Sequence, residues 1–232
     1  SQFEREFASY TGTDFAVSCN SGTSALELIF RALDVNGKEV ILPSNTFIAT
    51  ANAIINAGGI PIFADCDDSM CLDYEDTIEK ITSETVAICH VHIGGLVSDA
   101  ALRLAKYCDD HGIFFVEDAA QALGAFTDDK MAGTFGDFGC FSFYPTKILG
   151  SYGDGGFITT NNFNLYQKAK RLRFYGLEEE DKKKWWNKKY FSIQNGVNSR
   201  LSEIQVSILN FKIKNTIRDI KKRRLIANFY NK

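Results

Sequence analysis

Short apolar runs alternate with amphipathic stretches along almost the whole chain. The runs at 15–19, 39–43, 60–65, 85–93, 112–121, 139–144 and 157–160 are rich in β-branched and aromatic residues and are bounded by glycine, proline or small polar residues. That is the signature of buried strands. Between them the apolar period lengthens to that of a helix. Phe3 and Phe7 mark a short amphipathic helix over 2–10, expected to lie against the domain surface. Ala25, Leu26, Ile29, Phe30 and Leu33 form the buried stripe of a second helix, with Ser24 and Glu27 at capping-box spacing. Further helices are predicted after 44–50 up to Gly58, over 74–81, and over 98–111, where Gly112 stops the helix. A long helix follows Ser199, its predicted cap, with Leu201, Ile204, Ile208 and Leu209 as its buried stripe. Alternation of about seven strands with helices predicts an α/β domain around a largely parallel sheet.

Two of these strands carry chemistry at their carboxyl ends, where open parallel sheets place their ligand crevice. One ends in Asp118; the other stops at Pro145 and then offers Lys147. A lysine at a strand end beside aromatic neighbours is partly desolvated, which favours a neutral, nucleophilic amine; an ordinary surface lysine is the plainer alternative. A lysine that forms a Schiff base with pyridoxal phosphate needs an acidic partner for the pyridine nitrogen, because a protonated ring is the better electron sink. Asp118 fits that role.

Other segments add to this picture or bound it. The turn Asn20-Ser21-Gly22-Thr23-Ser24 precedes a helix, whose first amides and dipole suit a phosphate, although such a turn also serves simply as a cap. Phe47, at a strand-to-helix junction, is placed either to stack on a flat ring or to fill the core. His90 and His92 alternate onto one face, but no carboxylate or thiol at ligand spacing completes a metal site, so a histidine bordering the crevice is expected instead. Residues 150–156 lack the lysine-serine pair of a P-loop and precede a strand, which predicts a tight turn at the rim of the site.

Composition mostly excludes. A hydrophobic content of 45% over 232 residues allows one large domain with a substantial core. Six dispersed cysteines without a CxxC pair read as reduced core residues of a cytoplasmic protein, and no run approaches the ~18 apolar residues of a membrane span. The insertion at 178–190, EEEDKKKWWNKKY, sets basic residues beside aromatics as single-strand nucleic-acid binders do. Its preceding acidic residues and a net charge of −3 argue against nucleic acid or an anionic membrane as partner.

Three stretches, EDAAQALGA (117–125), GDFGCFSFYPTK (136–147) and GDGGFITT (153–160), resemble in order and spacing the motifs of the DegT/DnrJ/StrS family of pyridoxal-phosphate-dependent nucleotide-sugar aminotransferases. The resemblance spans nearly the whole chain, with one departure at Ile148, where such proteins usually carry asparagine. It implies an aspartate-aminotransferase-like (fold type I) large domain, with a mainly parallel seven-stranded sheet and helices on both faces. It further implies that Lys147 holds the cofactor as a Schiff base, Asp118 pairs with the pyridine nitrogen, Phe47 stacks on the ring and Gln121 hydrogen-bonds the ring oxygen. Gly22, Thr23 and Ser142 would bind the phosphate. Asn198, in NSRLSEIQ (198–205), would reach the phosphate of the neighbouring subunit, which implies a homodimer with shared sites. The implied substrates are an amino-acid donor, glutamate, and a keto group on a nucleotide-linked deoxysugar. Two alternatives stand beside this: a sugar dehydratase on the same scaffold, whose relatives replace the lysine with histidine, and a non-catalytic regulatory or binding protein. Ile217, Ile220, Leu225 and Ile226 continue a helical pattern over about 215–232, opposite Lys221 to Arg224. In the resembling enzymes such a helix leads to a small C-terminal domain, so residues 1–232 are expected to be the large domain of a longer protein.

Overall fold

The computed structural model describes residues 1–127, 130–177 and 191–231; the charged insertion at 178–190 lies outside them. Strands β1 (Phe15–Cys19), β2 (Glu39–Pro43), β3 (Ile60–Ala64), β4 (Thr85–Val91), β5 (Phe114–Asp118), β8 (Phe138–Ser142) and β9 (Gly156–Thr160) form one sheet in the order β1-β9-β8-β5-β4-β2-β3. A separate hairpin pairs β6 (Phe126–Thr127) with β7 (Lys130–Met131). The pairings from β3 through β8 are parallel, and β9 runs antiparallel to both β8 and β1. The sheet is therefore mainly parallel, as expected, with an antiparallel end.

Alternate strand residues point to opposite faces, and both faces are covered. Val40, Leu42, Ala87, Cys89, Val116, Cys140 and Ile158 pack on one side with α2 (Gly22–Ala32), α3 (Ile48–Asn56) and α6 (Phe163–Leu172). Their neighbours Ile41, Ile88 and Phe115 face α5 (Asp99–His111), beside α4 (Tyr74–Glu79). Farther along that second face Phe141 and Phe157 meet α1 (Gln2–Thr11) and α7 (Glu203–Ile213). Phe3 and Phe7 on α1 do more than rest on the surface: both are fully buried, with Phe7 4.6 Å and Phe3 5.2 Å from the Phe157 ring. Each such side chain contributes about 1.5–3 kcal/mol by leaving water.

Two predicted caps are displaced. Ser21, not Ser24, caps α2: its Oγ accepts the Ser24 N–H, and Glu27 pairs instead with Arg31 one turn on. Ser202, not Ser199, caps α7, while Ser199 Oγ donates to Asn20 Oδ1 at 2.8 Å. In both cases several small polar residues compete for the cap, and the tertiary path of the entering chain selects one. The α7 stripe also narrows. Leu201 and Leu209 are buried and Ile208 is half-buried, but Ile204 is 74% exposed. The last helix, α8 (Thr216–Tyr230), leaves Ile217, Leu225, Ile226 and Phe229 exposed. Among the described residues no helix is long and apolar enough to cross a membrane.

Candidate active site

The carboxyl ends of β4, β5 and β8 open onto a cavity of about 570 Å³ that is closed laterally by the start of α2 and the residues before α3. Gly22, Thr23, Phe47, Asp118, Gln121, Ser142 and Lys147, far apart in sequence, all line it. Asn198 does not. It is exposed and bridges Phe174, and its neighbour Ser199 is tied to the turn before α2 through Asn20.

Asp118 ends β5 and is buried, with Oδ2 accepting from Thr50 Oγ1 at 3.0 Å and Oδ1 from the Ala120 N–H at 3.1 Å. Burial pushes its carboxyl above the ordinary range, against the pull of those two donors and of the Lys147 and His92 charges. A carboxylate so placed is stabilised by a cation brought into the cavity. Lys147 is half-buried on the loop after β8, where its N–H closes a turn onto the Tyr144 carbonyl. Gln121 Oε1 accepts from the Gly94 N–H at 2.9 Å, so its NH₂ is the end turned away from that contact.

At the other end of the cavity Gly22 and Thr23 are first-turn residues of α2, whose amides the helix itself cannot pair. Gly22 touches Ser142 so closely that a Cβ there would lie 2.9 Å from Ser142 Cβ. Two free amides, a helix dipole and a hydroxyl thus converge in a cradle that suits a phosphate. Phe47, at the N-cap position of α3, is 71% exposed, which places its ring on the cavity wall and outside the core. The 150–156 turn is at the rim as expected, with Asp154 and Gly155 lining the cavity.

The histidines are a correction. Neither borders the cavity: Val91 does, and the alternation of β4 turns His90 and His92 beneath it, fully buried. His92 Nε2 lies 2.9 Å from Glu117 Oε2 and Nδ1 lies 3.2 Å from the Leu96 carbonyl. Burial, then His92, holds the His90 imidazole well below its ordinary range. Among the described residues no cluster could hold a metal. Sequence reading also missed Thr50, whose hydroxyl holds Asp118, and Cys140, in the cavity floor with its Sγ donating to the Gly22 carbonyl. A lone hydroxyl in a helix and a thiol in an apolar strand carry no one-dimensional signal.

Known proteins resemble this chain in sequence and fold. The chain is 42% identical over 230 residues to dTDP-3-amino-3,6-dideoxy-alpha-D-galactopyranose transaminase of Aneurinibacillus thermoaerophilus, covering 98% of this chain and 61% of that one. It is 40% identical over 229 residues to UDP-N-acetyl-3-dehydro-alpha-D-glucosamine 3-aminotransferase of Acidithiobacillus ferrooxidans, covering 98% and 59%. The crystal structure of DesV from S. venezuelae in complex with a ketimine intermediate superposes with a TM-score of 0.86 at 38% identity, over 94% of this chain and 56% of that one. The chain thus spans about three fifths of the length of the curated relatives it matches. The family model for these enzymes matches residues 1–232 from end to end, and the chain belongs to the DegT/DnrJ/EryC1/StrS aminotransferase family.

Proposed function

We propose that this chain carries the cofactor site of a pyridoxal-phosphate-dependent aminotransferase that moves an amino group from an amino acid, glutamate, to a keto group on a nucleotide-linked deoxysugar. The observation that carries the reading is one cavity holding a lysine, a buried carboxylate and a helix-start cradle. Those residues fit the cofactor. Gly22 and Thr23 amides and the Ser142 hydroxyl would bind its phosphate, Phe47 would stack on its ring, the Gln121 NH₂ would donate to its ring oxygen, and Asp118 would keep a proton on its ring nitrogen. Bound there, pyridoxal phosphate supplies the electron sink that stabilises negative charge on the substrate carbon.

Lys147 has two tasks in turn. Its Nζ would hold the cofactor at rest and, as a freed amine, would carry the proton between the substrate carbon and the cofactor. Asp118 is suited to its own part because burial leaves its charge without water and hence strongly coupled to a cationic ring. Asn198, exposed and away from this cavity, serves the phosphate of a second copy, so the active unit is a homodimer with shared sites. The resemblance implies histidine in place of this lysine in sugar dehydratases, so Lys147 favours transamination.

Purified protein should be yellow, and glutamate should bleach the visible band. Borohydride should fix the cofactor on Lys147, as peptide mapping would read. Label on another lysine, or a band that glutamate leaves unchanged, would refute the assignment. Mixing Lys147→Ala with Asn198→Ala subunits should restore one intact site per heterodimer; no recovery in a verified heterodimer would refute the sharing.

A further inference from the structure

The loop that carries Lys147 leaves β8 at Ser142 and returns to β9 at Gly156. Its base is closed by backbone bonds, Phe143 N–H to the Gly155 carbonyl at 2.7 Å and Ser151 N–H to the Phe143 carbonyl at 2.8 Å. Its far limb is held by side chains from α7, more than fifty residues on, Gln205 foremost. Gln205 Oε1 accepts from the Tyr152 N–H at 3.1 Å and lies 2.8 Å from Ser151 Oγ, while Gln205 Nε2 donates to the Tyr152 carbonyl at 3.0 Å.

An amide side chain thus pairs with both backbone groups of one residue, as a neighbouring strand would. Glutamine is singular in this place. Glutamate offers only acceptors, asparagine is one methylene shorter, and an apolar residue would leave both Tyr152 groups to water. The approach is so close that a Cβ at position 153 would lie 2.7 Å from Gln205 Nε2, so glycine stands there. Two turns along the same face of α7, Lys212 Nζ donates to the Gly150 carbonyl. Between these ties and Lys147 the chain is pinned by Leu149, which is buried in the core that α7 shares. Lys147 thus sits on a loop with little slack, and α7 supplies the stiffness.

We propose that Gln205 is a positioning residue for Lys147: by clamping Tyr152 it fixes the loop backbone, and so the point from which the lysine amine reaches the cofactor. This rests on the reading of Lys147 as the cofactor-bearing lysine. The amine needs a defined origin because it works at two places in turn, and a displacement of about 1 Å in such a group costs on the order of a hundredfold in rate.

The test compares Gln205→Ala, Gln205→Glu and Leu209→Ala, the last loosening the same helix without touching the clamp. In cofactor-free protein, hydrogen exchange at the Tyr152 amide should be about tenfold or more faster in Gln205→Ala. It should be partly restored in Gln205→Glu, which keeps an acceptor for that amide, and should stay slow in Leu209→Ala relative to the rest of α7. With cofactor bound, the pH midpoint of the visible band should move by about half a unit or more in Gln205→Ala and stay in place in Leu209→Ala. Unchanged Tyr152 exchange in Gln205→Ala, or equal midpoints in the two alanine variants, overturns the proposal. Should Gln205→Ala fail to fold, Gln205→Glu carries the same comparison, its loss being that of the Tyr152 carbonyl tie alone. Borohydride labelling of the wild type separates the two levels. Label on Lys147 with a wild-type-like Gln205→Ala sinks only the clamp, whereas label elsewhere sinks the reading of Lys147 and the role of Gln205 with it.

Discussion

Glu117→Gln should destabilise the protein by about 3 kcal/mol although it changes one atom. Glu117 is completely buried, on the face of β5 opposite Asp118. Its Oε1 accepts from the Phe135 N–H at 2.6 Å and the Gly136 N–H at 3.0 Å, and its Oε2 accepts from the Gly133 N–H at 2.7 Å and faces His92 Nε2. All three backbone partners thus ask it for an acceptor. A glutamine has one oxygen, and its NH₂ must face donors on one side or the other. Turned toward Phe135 and Gly136 it strands two backbone amides. Turned toward Gly133 and His92 it strands one, since the His92 tautomer with its hydrogen on Nδ1 presents Nε2 as an acceptor, so the second orientation is favoured. One buried unpaired N–H costs about 1–3 kcal/mol, and the remaining bonds lose the extra strength that a charged acceptor confers. Urea unfolding of cofactor-free wild type and variant at neutral pH, with equal slopes, measures the difference. Hydrogen exchange should quicken at Gly133 above all. A loss under about 1 kcal/mol would mean that the turn relaxes to pair its own amides, and would refute the view that Glu117 organises it.

Three further expectations follow from the same geometry. At Glu4, burial alone would raise the carboxyl, but Arg173 and the Ser18 N–H outweigh it and hold the pKa at about 2, so Glu4→Gln should cost about 3 kcal/mol at neutral pH. That contribution is present above the ordinary carboxylate range and lost as pH falls toward 2, so urea midpoints of wild type and variant should converge on acidification. Asp118 has the opposite sign: its raised carboxyl favours the folded cofactor-free protein at low pH and loses that advantage as pH rises through the folded value. Asp118→Asn should therefore remove part of the stability loss above the ordinary carboxylate range while slowing the glutamate bleaching that the proposed function requires by about a hundredfold or more, measured by urea melts and visible absorbance. Gly22→Ala drives a methyl against Ser142, which should cost about 1–3 kcal/mol of stability in urea melts and weaken cofactor binding about tenfold or more, read by equilibrium dialysis.

Much of this was legible in the chain itself. The alternation of apolar runs with helical stripes determined the strands and most helices, because burial on a sheet face or a helix stripe imposes its period directly on sequence. That Asp118 and Lys147 would meet at one cavity was legible because a strand end is marked locally, by the stop of an apolar run and a proline, and because parallel sheets gather such ends. Tertiary structure alone decided what depends on which segments meet. It turned β9 antiparallel to β1 and β8, chose Ser21 and Ser202 from runs of equivalent caps, and rotated Ile204 to solvent while burying Leu209. It also moved His92 from the expected crevice to a partnership with Glu117, and brought Gln205 to Tyr152 across more than fifty residues. A hydrogen bond needs groups about 3 Å apart and aligned, a condition on three-dimensional distance that leaves no period along the chain.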